Sequence, residues 1–170
     1  PLGPDTFVVP LQNGVEAEEE LAEVIGRGPV LGGLCRIMSF VAGPGRIKHT
    51  GIVPRIEFGE WDGRLSPRVE ALRDAFAPAE GLSAVVPPHI AVALWEKFIF
   101  IAPVSAVGAV TRMPAGVFRA VPETRAILAQ SMGEVLAVAH ARGVGLPANA
   151  VAKTLAIVDG LPAEGAASMQ

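Results

Sequence analysis

The sequence predicts an α/β portion followed by an all-α portion. Short β-branched runs alternate with helical periodicity up to Val86, the pair Pro87-Pro88 interrupts the pattern, and beyond it only helical spacing of apolar residues remains. This order reads as two domains, residues 1–88 and 89–170, meeting at a cleft. The chain has 170 residues, enough for one ordinary domain or two small ones.

The elements follow in order. Phe7-Val-Val-Pro10 is a short strand that enters Leu11-Gln-Asn-Gly14. An acidic helix from Val15 to Ile25 sets Val15, Leu21, Val24 and Ile25 against Glu16, Glu18, Glu19, Glu20 and Glu23. Negative charge in its first turns suits the helix dipole. Gly26 and Gly28 end it, and Pro29 to Phe40 reads as one strand continuing through small residues. Gly43-Pro-Gly45 signals a turn. The stretches Arg46–Thr50 and Pro54–Phe58 alternate as the two strands of a hairpin. Ser66-Pro67 opens a helix to Phe76, with serine as N-cap and proline at the first helical position. Ser83–Val86 is a short strand.

After Pro87-Pro88 a helix carries Lys97, and Pro103 is expected to kink it or end a segment. A second helix, from about Pro122 to Arg142, places Ile127, Leu128, Met132, Val135, Leu136 and Ala139 at helical spacing, and Gly143-Val-Gly145 caps it. Pro147 opens a third helix with Val151, Leu155 and Val158 on its apolar side, stopped by Gly160-Leu-Pro162. The alanine-rich end, Ala163 to Ser168, is expected to be mobile.

Composition removes several function classes. Hydrophobic residues make up 51% of the chain and mean hydropathy is +0.44, which argues against disorder. A formal net charge of -3 gives no support for nucleic-acid binding. The single cysteine, Cys35, excludes an internal disulfide framework and fits a reducing, cytoplasmic compartment. No basic leader precedes an apolar stretch, so no signal peptide is expected. The apolar run Phe98–Val110 is too short to span a bilayer and contains Pro103 and Gly108, so no membrane association is expected. His49, His89, His140 and Cys35 stand in no metal-ligand spacing, and no metal is expected.

Lys97 is the most informative residue. It is the only basic residue between His89 and Arg112 and is followed by Phe98, Ile99 and Phe100. Burying an ammonium there is costly unless it is paired, and burial lowers a lysine's pKa toward values useful for proton transfer. Periodicity alone favours the plainer reading, a lysine that snorkels to water from a polar stripe.

Neighbouring motifs reverse that judgement. Leu11-Gln-Asn-Gly-Val15 with its acidic helix comes first. Gly32-Gly33, Pro44-Gly-Arg-Ile-Lys-His-Thr-Gly51 and Phe58-Gly-Glu60 follow, then Leu94-Trp-Glu-Lys-Phe98 and Ala167-Ser-Met169. This ordered set, spanning nearly the whole chain, resembles the ketopantoate reductase (2-dehydropantoate 2-reductase) family. The resemblance implies an α/β Rossmann-like remnant followed by an all-α domain like the C-terminal domain of 6-phosphogluconate dehydrogenase. It implies reduction of a 2-keto acid with NADPH, a small-molecule substrate, and a homodimer formed through the helical domain.

By the same resemblance Lys97 matches the catalytic lysine, whose ammonium would stabilise and protonate the keto oxygen. Asn13 matches an asparagine that contacts the cofactor and helps position the lysine; alone it is an ordinary Asn-Gly turn. Ser168 matches a substrate-binding serine; alone it is a solvated tail residue. The family's asparagines four and eight residues after the lysine are Ile101 and Ser105 here, and a third aligns with Ala115. These replacements remove hydrogen bonds that would read substrate hydroxyls. Thr111 and Arg112 offer replacement polarity: Arg112 either holds a carboxylate bidentately or faces water at a helix end.

No Gly-x-Gly-x-x-Gly follows a strand in this sequence; Gly26-Arg-Gly28 and Gly43-Pro-Gly45 are turn glycines. The expectation is the tail of a Rossmann domain plus most of a helical domain, inactive on its own. The rival readings are a non-catalytic member of the same fold that binds a dinucleotide or dimerises, and a helical interaction module on residues 89–170.

Overall fold

The computed structural model describes residues 2–167. Ser168 lies outside the described residues. The chain divides into two compact units, Pro1–Leu94 and Trp95–Gln170. It has the fold the motifs imply, a Rossmann-like α/β portion followed by a helical portion.

Unit 1 contains α1 (Ala17–Ile25), β1 (Gly32–Arg36), β2 (Ser39–Gly43), β3 (Arg46–His49), β4 (Arg55–Gly59), α2 (Pro67–Phe76), β5 (Ser83–Val85) and the first turn of α3 (Ile90–Thr111). Its main sheet has the order β1-β4-β5. β1 runs antiparallel to β4, from Gly32 opposite Gly59 to Arg36 opposite Arg55, and β5 runs parallel to β4. The expected first strand is reduced to a parallel bridge from Val8 to Val30, closed by the Val8 amide on the Pro29 carbonyl at 2.8 Å and the Leu31 amide on the Val8 carbonyl at 2.9 Å.

The strand pairing corrects two expectations. The stretch from Pro29 to Phe40 is not one strand; it breaks at Ile37 and Met38 and supplies strands to two different sheets. Nor do the segments around Ile47 and Ile56 form a hairpin. Gly45, at φ 68°, turns the chain so that β3 pairs with β2, with Val41 opposite Ile47. β4 pairs with β1 instead, because Phe58 is fully buried there while every residue of β3 is exposed.

Two apolar clusters hold unit 1. Leu31, Phe58 and Val69 pack with Phe7, Val9, Leu72 and Phe76; Leu34, Ile90, Ala93 and Leu94 pack with Val15 and Trp61. Each large side chain buried in this way contributes about 1.5–3 kcal/mol. Ser66 caps α2 as expected, its Oγ accepting from the Val69 amide at 3.4 Å and donating to Glu60 Oε1 at 2.6 Å. Arg68 donates to both Glu60 oxygens, at 2.7 and 2.6 Å, and holds that carboxyl below the usual carboxylate range.

Unit 2 consists of the rest of α3 with α4 (Ala115–Ala120), α5 (Pro122–Ala141) and α6 (Ala150–Asp159). α3 runs on through Pro103, so the proline does not end a segment there. An interior proline costs about 3 kcal/mol, and here it lies inside a helix anchored by buried Ile99, Val104 and Val107. At 22 residues, with a mean hydropathy of 1.8 over its best window, α3 is long and apolar enough to cross a membrane. The length argument from Phe98–Val110 therefore fails. Half of that window is buried inside the protein.

α4 is too short for the periodicity to have revealed it. α5 buries Leu128, Met132 and Ala139 but leaves Ile127 exposed. α6 begins at Ala150, after a turn in which the Ala150 amide donates to the Pro147 carbonyl. Arg119 ties α4 to the end of α6 through the carbonyls of Val158 and Leu161, at 3.0 and 2.6 Å. The alanine-rich tail is not loose as far as Gly165: the amides of Ala115 and Gly116 donate to the carbonyls of Gly165 and Ala163, each at 2.8 Å.

Candidate active site

In unit 1 the loop from Leu11 to Glu16 connects the Val8 bridge to α1 and carries Asn13. Leu11, Gln12 and Asn13 are exposed, and Gly14 turns the chain at φ 123°, a conformation side chains resist. The loop thus leaves Asn13 exposed.

Directly after it stands Glu18, which the acidic run had placed on a solvated face. It is 1% exposed. The signal was present: with α1 starting at Ala17, positions 18, 21, 22 and 25 form one helical stripe, shared by Glu18 with Leu21, Ala22 and Ile25. Its Oε1 accepts from the Gly33 amide at 3.3 Å. Burial pushes its carboxyl above the ordinary value, only partly offset by the backbone amides of Glu18 and Gly33.

In unit 2 the helix α3 sets the register. Because it is continuous across Pro103, Lys97, Ile101 and Ser105 recur every four residues along one face. Lys97 and Ile101 are half-buried and Ser105 is buried. Arg112 is set apart from them. It lies about 22 Å along the axis from Lys97 at 1.5 Å per residue, is exposed, and occupies the left-handed region at φ 52° just past the last turn. Its amide donates to the Gly108 carbonyl at 2.8 Å, and Thr111 Oγ1 donates to the Val107 carbonyl at 2.8 Å, so the hydroxyl of Thr111 serves the helix end. Ala115 is buried at the start of α4.

A surface cleft of about 670 Å3 in unit 1, bordered by Leu2, Phe7, Ile25 and Arg68, includes none of the predicted site residues. Among the described residues no group of three or more His, Cys, Asp or Glu side chains is arranged to hold a metal ion.

Comparison with known proteins bears on this arrangement. The family model described as ketopantoate reductase PanE/ApbA matches residues 1–63, and that for the ketopantoate reductase PanE/ApbA C terminal matches residues 89–170. The chain belongs to the ketopantoate reductase family. An uncharacterized oxidoreductase YkpB of Bacillus subtilis (strain 168) is 31% identical over 140 residues, covering 82% of this chain and 46% of the relative. A 2-dehydropantoate 2-reductase of Nostoc sp. is 29% identical over 148 residues, covering 84% and 46%. The solved 2-dehydropantoate 2-reductase of Geobacter metallireducens GS-15 superposes with a TM-score of 0.88 at 29% identity, over 99% of this chain and 56% of that one. The chain thus spans about half the length of the ketopantoate reductases and relatives it matches.

Proposed function

We propose that the protein carrying this chain reduces a 2-keto acid to a 2-hydroxy acid with NADPH, in the cytoplasm, as a homodimer through its helical unit. The observation that supports this reading is the α3 face, with a half-buried lysine in register with an apolar and a hydroxyl side chain. Of the contacts a dinucleotide needs, this sequence offers the exposed Asn13 amide and no glycine-rich phosphate loop, so its residues fit one end of the cofactor. When bound, the reduced nicotinamide supplies the hydride that goes to the keto carbon.

Lys97 does the work on the oxygen. Its ammonium hydrogen-bonds the keto oxygen, stabilises the negative charge that develops there and passes it a proton. Ile101 supplies an apolar wall, and Ser105 a hydroxyl that can donate or accept. Ser168 is assigned to substrate by resemblance. In the full-length protein Lys97→Ala is expected to lower turnover about a hundredfold, or about 3 kcal/mol, with NADPH affinity little changed. An unchanged turnover number would refute the role.

Ile101 and Ala115 also bear on the substrate. A hydroxyl left unpaired against Ile101 costs about 1–3 kcal/mol, so unhydroxylated 2-keto acids are expected to have the higher kcat/KM. Ketopantoate proving best by a wide margin would overturn that preference and leave the reductase reading standing. The same two replacements favour the second reading, a dinucleotide-binding member without turnover; activity with any 2-keto acid in the panel removes it.

A further inference from the structure

Gly33 touches both ends of the loop that carries Asn13. At the loop's exit its amide donates to Glu18 Oε1 at 3.3 Å. At the entrance its α-carbon lies against Pro10: a β-carbon at this position would stand 2.6 Å from the Pro10 carbonyl oxygen and 2.4 Å from Val9 Cγ1, closer than such atoms approach. Only glycine lets the strand come this near. Between these two contacts the chain from Leu11 to Asn13 is exposed.

Glu18 is an expensive way to fill its site. Its side chain is buried, and its Oε2 makes no hydrogen bond among the described residues. A buried polar atom without a partner is destabilising, and an apolar side chain of similar size would occupy the same space at lower cost. What the carboxyl adds is its bond to Gly33. We propose that Glu18 is a positioning residue: by fastening the first turn of α1 to the Gly33 amide, it closes a clasp that fixes the loop presenting Asn13 to the cofactor. The cofactor role of Asn13 is the one proposed above, and the clasp itself stands on the geometry of unit 1.

The test uses the full-length protein and two variants. Glu18→Leu keeps the volume and removes the acceptor; Glu18→Gln keeps an oxygen for the Gly33 amide. Three quantities are measured: melting temperature, hydrogen exchange of the amides from Leu11 to Glu16 without cofactor, and NADPH Kd by fluorescence titration. The leucine variant is expected to melt no lower than wild type, yet to exchange the loop amides about tenfold faster and to bind NADPH about fivefold more weakly, the scale of one lost hydrogen bond. The glutamine variant is expected to restore both. If the leucine variant does not fold, Glu18→Met serves in its place. Unchanged loop exchange would overturn the clasp. Faster exchange with unchanged Kd would keep the clasp and overturn its link to the cofactor through Asn13.

Discussion

At the scale of single residues, two buried glutamates pull the pH dependence of stability in opposite directions. Glu18 has a carboxyl raised above its ordinary value of 4.5, chiefly by burial, with the neighbouring charge of Glu19 adding to the effect. The folded state therefore binds this proton more tightly than the unfolded one. Stability is greatest below the unfolded value, falls as pH rises toward the folded one, and stays reduced above it. Glu60 is the reverse case, its carboxyl lowered by the hydrogen bonds from Arg68. Its contribution is present above the unfolded value and is lost as pH falls through the folded one. Glu18→Gln should thus melt higher than wild type at about pH 8, the gap closing toward about pH 4. A constant gap across thermal melts in that range would show that Glu18 does not titrate as burial requires. The family was legible from the motif around Lys97, whereas the burial of Glu18 was hidden because a run of four acids in five positions reads as a solvated face. Only the helical stripe it shares with Leu21 and Ile25 could have revealed it.

At the scale of elements, the ribbon of β2 and β3 is the weakest part of unit 1. Phe40, Val41 and Ile47 are all more than half exposed, and the pair stands as its own two-stranded sheet. Two strands without a buried face are marginally stable. Amides of β2 and β3 are expected to exchange through local opening, while those of Leu34 and Phe58 exchange near the global unfolding limit; exchange followed by mass spectrometry would reverse this if the ribbon were buried. In line with that, Ile47→Thr should change stability by less than about 0.5 kcal/mol and Leu34→Ala should cost about 2–5 kcal/mol, both read from urea melts. The same ribbon explains the largest error in reading the strands. Alternation in Arg46–Thr50 and Pro54–Phe58 marks strands but does not name their partners. The partner is chosen by burial of Phe58 and by the glycine turn at Gly45. Helices were easier: Ser66-Pro67 and Gly143 carry their own start and stop chemistry. The continuity of α3 was not visible, because a local rule against interior proline was overridden by packing around Ile99 and Val104.

At the scale of the whole molecule, two units of unlike architecture lie on one chain that spans about half of its curated relatives. The sequence holds no Gly-x-Gly-x-x-Gly, and phosphate recognition in this fold depends on the amides of that loop at a helix N-terminus. The 170-residue chain alone is therefore expected to bind NADPH more weakly than about 1 μM, a free energy of about 8 kcal/mol. Calorimetric titration reaching micromolar or tighter affinity would contradict this. The change from α/β to helical architecture was readable from the change of periodicity at Pro87-Pro88, while the way the tail folds back on α4 was not, since Ala163-Glu-Gly165 carries no pattern.

That fold-back has an electrostatic consequence. The first amides of a helix normally offer half a positive charge to any anion that reaches them. In α4 the amides of Ala115 and Gly116 already donate to the tail's own carbonyls, and a β-carbon on Gly116 would come within 2.9 Å of Ala163, leaving no room to slip between them. These two N-terminal donors of α4 are satisfied by the chain itself. A carboxylate arriving at this end of unit 2 meets no spare backbone donor from these two residues, so whatever counter-charge it needs has to come from a side chain.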